Sequence, residues 1–531
     1  MDDRITSGTA GVDPAVHARR WWILAVLVLS LLVVVLDNTI LNVALKTIQQ
    51  DLDATQSELA WAVNSYTLVF AGLLFTYGVL GDRYGRQLAL VVGLTLFGCA
   101  SALCAFAQTP EQLIGFRALM GIGGAAVLPS TLSIITSVFD PSERPKALGI
   151  WAGFVGAAIA IGPITGGLLL ERFWWGSVFL VNVPVVLVAL IAILVLVPES
   201  QDPSEQRLDP LGVVLSITGL VLLVYGIIKG GETTAWSSPA VVGPLVAGVV
   251  VLAAFVVVQR RSRSPMLDVT LFRNPAFSAA CGAVSLVMFA LFGAVFFLSF
   301  YLQYAREYSP LEAGIRLLPV AVAMAFFAPR SAGLVRRFGP KAVCGAGLIV
   351  VAVSFGGYRF VDEATSIWAV SLLLFLQGVG MAHVMAPATE SIMSTLPRHR
   401  AGAGAAVNTT VRQVGGALGV AVLGSVLAAS YRAGITPALD RLPEEYLPDA
   451  ARQQAAESIG GTQLVTEALP VTLAAPVERA SIDAFVGAMH DAATWSALVA
   501  LLGAVVVLRW LPGRGAARVS AERRALSGSA Q

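Results

Sequence analysis

The chain has 531 residues, of which 56% are hydrophobic and 13% charged, with a formal net charge of +2 and a mean hydropathy of +0.77. Ordinary soluble domains carry roughly 25% charged residues, so this composition cannot clothe a water-soluble globule, and nothing in the near-neutral charge suggests nucleic acid as a partner. The sequence reads as an all-α integral membrane protein, in which lipid solvates the outward side chains.

Residues 1–20 form a polar N-terminal tail. The apolar run that follows, "WWILAVLVLSLLVVVLDNTILNVAL", is too long for a signal peptide and lacks a small-residue cleavage site, so it is a first span. Apolar runs of about 20 residues, enough to cross ~30 Å of hydrocarbon, place fourteen transmembrane helices. They lie near 21–43, 57–80, 88–107, 113–135, 147–170, 177–197, 211–228, 240–258, 276–303, 313–330, 341–357, 367–393, 403–429 and 490–511. The face holding both termini then carries 23 Lys and Arg against nine opposite, with Arg117, Arg316 and Arg412 inside spans. The positive-inside rule therefore predicts cytoplasmic termini. Cys99, Cys104, Cys281 and Cys344 all lie in apolar runs without metal-ligand spacing and are expected to be inert buried thiols. No metal site or phosphate-binding loop is visible, which leaves no direct ATP coupling within the chain.

Between the second and third spans, "GVLGDRYGRQ" (78–87) spends three charges and three glycines on one turn. Gly85 suits a positive-φ reversal, Gly78 would let another helix approach closely, and Asp82 is expected near the start of the third helix, complementing its dipole. Arg83 and Arg86 alone would be ordinary positive-inside residues, which leaves the acid unexplained. A weaker copy, "RRFGPK" (336–341), comes 254 residues later, with Arg336 in place of Asp82. The repeat predicts two six-helix bundles, 21–200 and 261–511, separated by two intervening helices in 201–260 and followed by a tail, 512–531. Such same-orientation halves are typical of transporters that rock around a central site.

At these residues the sequence resembles the major facilitator superfamily, in particular its fourteen-helix drug/proton antiporter branch. "GVLGDRYGRQ" is similar to the signature turn, matching at Gly78, Leu80, Asp82, Arg83, Gly85 and Arg86, which the resemblance implies is a conformational latch. "LIGFRALMGIGGAA" (113–126) resembles the fourth-helix motif, with Arg117 its buried basic residue. "AIGPITGG" (160–167) resembles the antiporter motif, carried by Gly162, Pro163, Gly166 and Gly167. "LDNTILNVAL" (36–45) resembles the first-helix motif, although Lys46 stands where that branch usually has proline. The resemblance implies a monomeric transporter of hydrophobic or cationic small molecules, driven by the proton gradient without a cofactor and embedded in the lipid of a bacterial cytoplasmic membrane.

An ionisable group inside a span costs at least ~2.5–3.5 kcal/mol on insertion scales, which makes each one a functional candidate. Asp37 lies in the outer half of the first span, where desolvation favours a group that loads and releases protons. The competing reading is a hydrogen bond to Asn38, Thr39 or Asn42 that pins helices together. Arg117, in the same leaflet, is placed either to tune that acid or to bond backbone carbonyls. Glu390 and Arg412, in "APATESIM" and "NTTVRQVGGALG", form a second candidate pair, for coupling or as a structural salt bridge. His383 is a candidate because histidine is the side chain whose unperturbed charge change falls near physiological pH, but it has no second ligand nearby, and Arg316 is expected to snorkel to the interface. Asn42, Phe289, Phe292 and His383 are candidates for the substrate cavity; Phe296 and Phe297 crowd the same ninth span as packing or lipid-facing residues.

The segment 431–489, with eight acidic and four basic residues, is expected as a partly ordered outer cap. The leading function is proton-coupled export of amphipathic drugs. The alternatives are dedicated export of one endogenous antibiotic, or a non-transporting membrane sensor or channel; no repeated filter segment is visible for a channel, and no nucleophile, metal set or nucleotide loop for an enzyme.

Overall fold

The computed structural model describes residues 14–140, 143–201, 209–233, 235–262, 265, 267–394, 401–511 and 513. Among them every regular element is helical: α1 (Pro14–Leu52), α2 (Gln56–Tyr84), α3 (Arg86–Ala105), α4 (Pro110–Val138), α5 (Arg144–Leu170), α6 (Ser177–Leu180), α7 (Asn182–Leu196), α8 (Pro210–Thr233) and α9 (Pro239–Arg261) lead into a second group. That group is α10 (Pro275–Phe300), closed by a π turn (Tyr301–Ala305), then α11 (Pro310–Arg316), α12 (Leu318–Phe338), α13 (Pro340–Tyr358), α14 (Ile367–Ser394), α15 (Ala401–Leu439), α16 (Asp449–Glu457), α17 (Ile459–Thr466) and α18 (Val471–Trp510). Twelve membrane-length apolar helices are present among the described residues, and the bent α2 makes a thirteenth. The 27-residue α5 lies where the fifth span was expected. The chain is a multi-pass, all-helical membrane protein.

Local chemistry sets the helix ends. Thr55 and Glu58 form a reciprocal capping box at the start of α2, as do Ser309 and Glu312 at α11. Gly85 ends α2 at φ 123° and Gly339 ends α12 at φ 85°, the two positive-φ glycines among the described residues. They occupy the same position in the two turns that the sequence relates, and each is followed at once by the next helix. A Cβ at Gly85 would also lie 2.8 Å from the Glu199 carboxylate, so both backbone and space exclude a side chain there.

In the first group α1 packs on α5 and α7, while α4 lies between α2 and α3; in the second, α10 packs on α15, α12 on α14, and α13 on α14 and α18. The α8–α9 pair closes through glycine, a Cβ on Gly248 falling 2.8 Å from the Leu223 nitrogen, and α8 touches both α2 and α15. Leu187, Val188, Ile191, Leu194 and Val195 form an exposed stripe on α7, the expected surface of a helix solvated by lipid. Gly78 does not make the close approach expected of it, since a Cβ there would have 3.9 Å to Pro129. The tight contacts are further along α4, where a Cβ on Gly121 would come 2.6 Å from the Tyr66 carbonyl oxygen and one on Gly123 would come 2.5 Å from the Phe97 nitrogen.

Helix α1 starts and α18 ends at the same face. Arg20, near the start of α1, pairs with Glu143, just before α5, and Leu508, near the end of α18, lies against Gly345 in the first turns of α13. At the opposite, distal face, His490 of α18 reaches the Val361 carbonyl oxygen beyond the other end of α13. Most of 431–489 is helical there: α15 continues to Leu439, α18 already begins at Val471, and α16 and α17 lie between. Hydropathy ends a span where the helix leaves lipid, whereas the hydrogen-bond ladder continues into water; the 40 residues of α18 reach about 60 Å. Tyr431 anchors the cap, its hydroxyl lying 2.6 Å from Thr462 Oγ1 and 2.9 Å from Ser481 Oγ.

Candidate transport site

Asp37 and Arg117 meet in the interior. The α1 carboxylate is 2% exposed, the α4 guanidinium is fully buried, and Arg117 Nη1 pairs with Asp37 Oδ2. Arg117 Nε also donates to the Ala62 carbonyl oxygen at 3.1 Å, and the guanidinium carbon lies 4.6 Å from the centre of the Tyr66 ring. One side chain therefore makes both contacts, to the acid and to a backbone carbonyl. Asp37 does not bond Asn38, Thr39 or Asn42, whose donors turn back to carbonyls of their own helix. Its second oxygen, Oδ1, accepts from Asn182 Nδ2 at 3.2 Å, and the same amide reaches Ser101 Oγ at 3.1 Å. Neither Asn182 nor Ser101 was singled out in the sequence; a neutral polar residue inside an apolar run was the available signal. A buried pair of this kind loses about 3–5 kcal/mol when one partner is removed, because the other charge stays buried.

A second cluster closes the distal face. Lys46 donates to the Gln303 carbonyl oxygen at 2.6 Å and sits 4.4 Å from the centre of the Tyr304 ring. Gln303 answers with its side-chain amide to the Val43 carbonyl oxygen at 3.1 Å. The residue that departs from the first-helix motif thus ties α1 to the π turn after α10, where terminal carbonyls lack helical donors. Tyr304 donates to Gln49, Gln49 to Ser458, and Gln454 to Asp53, which adds the cap to the same clasp. Alongside it the antiporter motif packs on α11. A Cβ on Gly167 would overlap the Leu311 Cα, one on Gly314 would overlap the Pro163 carbonyl oxygen, and one on Gly162 would overlap the Thr39 hydroxyl. Gly166 faces Ile40, 3.2 Å from its Cγ2.

At the face with the chain ends, Asp82 lies in the last turn of α2 and pairs with Arg86 at 2.8 Å. The acid at the start of α3 is Glu199 instead, which accepts from the backbone N–H of Gln87 at 3.1 Å and of Leu88 at 3.3 Å. The sequence reading assigned that helix-dipole role to Asp82 because it ended the second helix near residue 80, whereas α2 continues to Tyr84 and takes Asp82 into its last turn. Arg83 is exposed, its guanidinium 5.3 Å from the centre of the Tyr84 ring. At the starts of α1 and α5, Arg20 hydrogen-bonds Glu143 and holds that carboxyl below its ordinary range.

The second candidate pair does not form among the described residues. Thr389, not Glu390, faces α15, its hydroxyl 3.4 Å from Asn408 Oδ1; the next residue on a helix is turned by about 100°, leaving Glu390 exposed and Arg412 half-buried. Of the four proposed cavity residues, the structure brings two to one contact. Phe289 packs its backbone on Gly419, and Phe292 its ring on Gly416, both along the α10–α15 contact. His383 Nδ1 lies 2.7 Å from the Val379 carbonyl oxygen of its own helix, and Asn42 Nδ2 donates to the Asn38 carbonyl oxygen. Phe296 and Phe297 are buried packing residues. Arg316 lies 5.6 Å from the Tyr308 ring centre. Cys99 is exposed, contrary to expectation, while Cys104, Cys281 and Cys344 are buried.

Comparison with known proteins agrees with this geometry. The multidrug efflux pump LfrA of Mycolicibacterium smegmatis is 37% identical over 494 residues, covering 92% of this chain and 96% of that protein. The tetracenomycin C resistance and export protein of Streptomyces glaucescens is 35% identical over 497 residues, covering 93% and 92%. Among solved structures, a bacterial homolog of the human lysosomal transporter Spinster superposes with a TM-score of 0.65 at 16% identity, over 94% of this chain and 98% of that one, a likeness of fold. The profile of the Major Facilitator Superfamily matches residues 27–420. With two related turns, glycine-packed helices and a buried Asp–Arg pair between spans, the chain belongs to the Major Facilitator Superfamily.

Proposed function

We propose that this transporter is a monomeric proton-coupled antiporter that exports hydrophobic, cationic drugs or antibiotics from the bacterial cytoplasm, driven by the proton gradient without a cofactor. The observation that carries this reading is the Asp37–Arg117 pair, an ionisable carboxylate buried within membrane-spanning helices. In low dielectric one carboxylate can hold a proton or attract a cation, and competition between them couples the two fluxes. The relatives named as a multidrug efflux pump and as an antibiotic export protein support the substrate class. Growth tests in an efflux-deficient host check it: expression is expected to raise tolerance to ethidium and to several unrelated cationic compounds. Resistance confined to a single antibiotic, without dye efflux, would instead favour a dedicated exporter, the reading that the tetracenomycin relative supports.

The proposal places both chain ends in the cytoplasm and the cap outside, on the Lys and Arg bias. Single cysteines test this in a background with Cys99 replaced, since that thiol is exposed. Arg261→Cys is expected to resist impermeant maleimide in intact cells and Glu445→Cys to react, both positions being exposed on opposite faces. The reverse labelling pattern would overturn the orientation.

A further inference from the structure

The two oxygens of Asp37 are held by different elements. Oδ2 belongs to Arg117, whereas Oδ1 accepts from the Asn182 amide at 3.2 Å, across 145 positions of sequence. Asn182 is 3% exposed and opens α7, directly after the break at Val181. Its orientation is fixed by a directional chain. Ser101, fully buried, gives its one hydroxyl proton to the Phe179 carbonyl oxygen at 2.8 Å, so towards Asn182 it can only accept. The atom of Asn182 facing Ser101 at 3.1 Å must then be the NH2 group. Both hydrogens of that amide are used, one on Ser101 and one on Asp37.

We propose that Asn182, oriented by Ser101, is a positioning residue for proton coupling: it fixes the plane of the Asp37 carboxylate and sets how readily that group takes up a proton. The inference rests on the reading of Asp37 as the proton carrier. A donor aimed at a carboxylate favours the charged form over the neutral one, and bonds to charged groups exceed neutral ones in strength. The other titratable or charged groups facing Asp37 are Arg117 from α4, Tyr66 from α2 and Cys104 from α3. The described part of α5 offers Gly162 and Gly166 to Thr39 and Ile40, and α6 brings the neutral Phe179, 5.8 Å from Arg117. The π turn after α10 and the helix α17 meet α1 further along, at Val43, Lys46 and Gln49. Asn182 is therefore the neutral donor that acts on Asp37 against a background of one cation.

The experiment follows the pH dependence of ethidium transport in proteoliposomes for the wild type, Asn182→Leu and Ser101→Ala. Removing the donor from Asp37 is expected to raise its proton affinity about tenfold, moving the midpoint of the pH profile up by about one unit. Ser101→Ala leaves the amide present but unaimed, so a shift in the same direction of roughly threefold in proton affinity is expected. A merely structural role would lower the maximal rate without moving the midpoint, and that result would overturn the proposal. Should Asn182→Leu fail to reach the membrane, Ser101→Ala carries the same test alone. Asp37→Asn is measured in parallel: a wild-type titration that survives it removes Asp37 as the proton carrier, whereas a titration lost there but unmoved by Asn182→Leu and Ser101→Ala removes the positioning role alone.

Discussion

Asp37→Asn is expected to abolish uphill, proton-driven efflux while leaving downhill exchange of substrate measurable. Asparagine has the size of aspartate and keeps one oxygen, enough for Arg117 or Asn182 but not for both, so the shape of the contact of α1 with α4 and α7 survives with one donor left unpaired. It cannot take up or lose a proton near neutral pH, which removes the coupling reaction itself. The guanidinium of Arg117, fully buried, then lacks its counter-charge. Losing one partner of such a pair costs about 3–5 kcal/mol, part of which the remaining oxygen recovers, so a lowered thermal stability is expected alongside the lost coupling. Dye accumulation and proton flux in proteoliposomes with an imposed pH gradient check both halves of the statement. Uphill transport at the wild-type proton-to-dye ratio would eliminate Asp37 as the essential carrier.

Gly167→Val is expected to prop open the distal face. The new side chain would overlap the Leu311 Cα and lie within 2.8 Å of its nitrogen and 3.0 Å of the Pro310 carbonyl carbon. These are backbone atoms, which cannot rotate aside, so α5 and α11 must separate. Overpacking costs about 1–3 kcal/mol, enough to shift a two-state equilibrium by about 5- to 150-fold towards the open form. Gln49 reports on the change: 1% exposed in the closed clasp, a cysteine there should react slowly in the parent and at least tenfold faster with Gly167→Val, while transport falls. Gly115→Val is the control, since a Cβ there meets nothing within 4 Å. Equal labelling rates and normal transport would show that the glycine contact does not hold the face shut.

How far these sites could be read in advance depended on the kind of residue. Asp37 and Arg117 stood out because a charge in an apolar run is costly enough to need a reason, and the structure joins them. Glu390 and Arg412 raised the same flag, yet whether two residues meet depends on helix rotation, and Thr389 takes the face that Glu390 would need. Asn182 and Ser101 stayed silent because neutral polar residues cost less and their partners lie far away in sequence. Gly85 was legible, since its role is conformational and only glycine takes φ 123° without strain. Asp82 was misplaced by a shift of a few residues in one helix boundary, enough to hand its capping role to Glu199. The membrane-spanning runs were legible from hydropathy, but the length of α15 and α18 was not, because nothing apolar marks a helix that continues into water.

The first helix carries a further consequence. From Trp21 to Leu52 it contains neither glycine nor proline, and it runs unbroken through both the Asp37 pair and the Lys46 clasp. Nine residues separate the two, about 13 Å along the axis. Helix α1 is thus a single stiff rod with the Asp37 pair at its waist and the Lys46 clasp near its tip. A rod of this kind transmits displacement without a relay of intermediate side chains: a slide or roll that accommodates a change at Asp37 arrives at Gln303 and Tyr304 undiminished. Linkage makes the traffic two-way. On the proposed reading of Asp37 as the proton carrier, whatever loosens Lys46 from its carbonyl and whatever changes the charge of Asp37 are expected to bias one another by the same free energy.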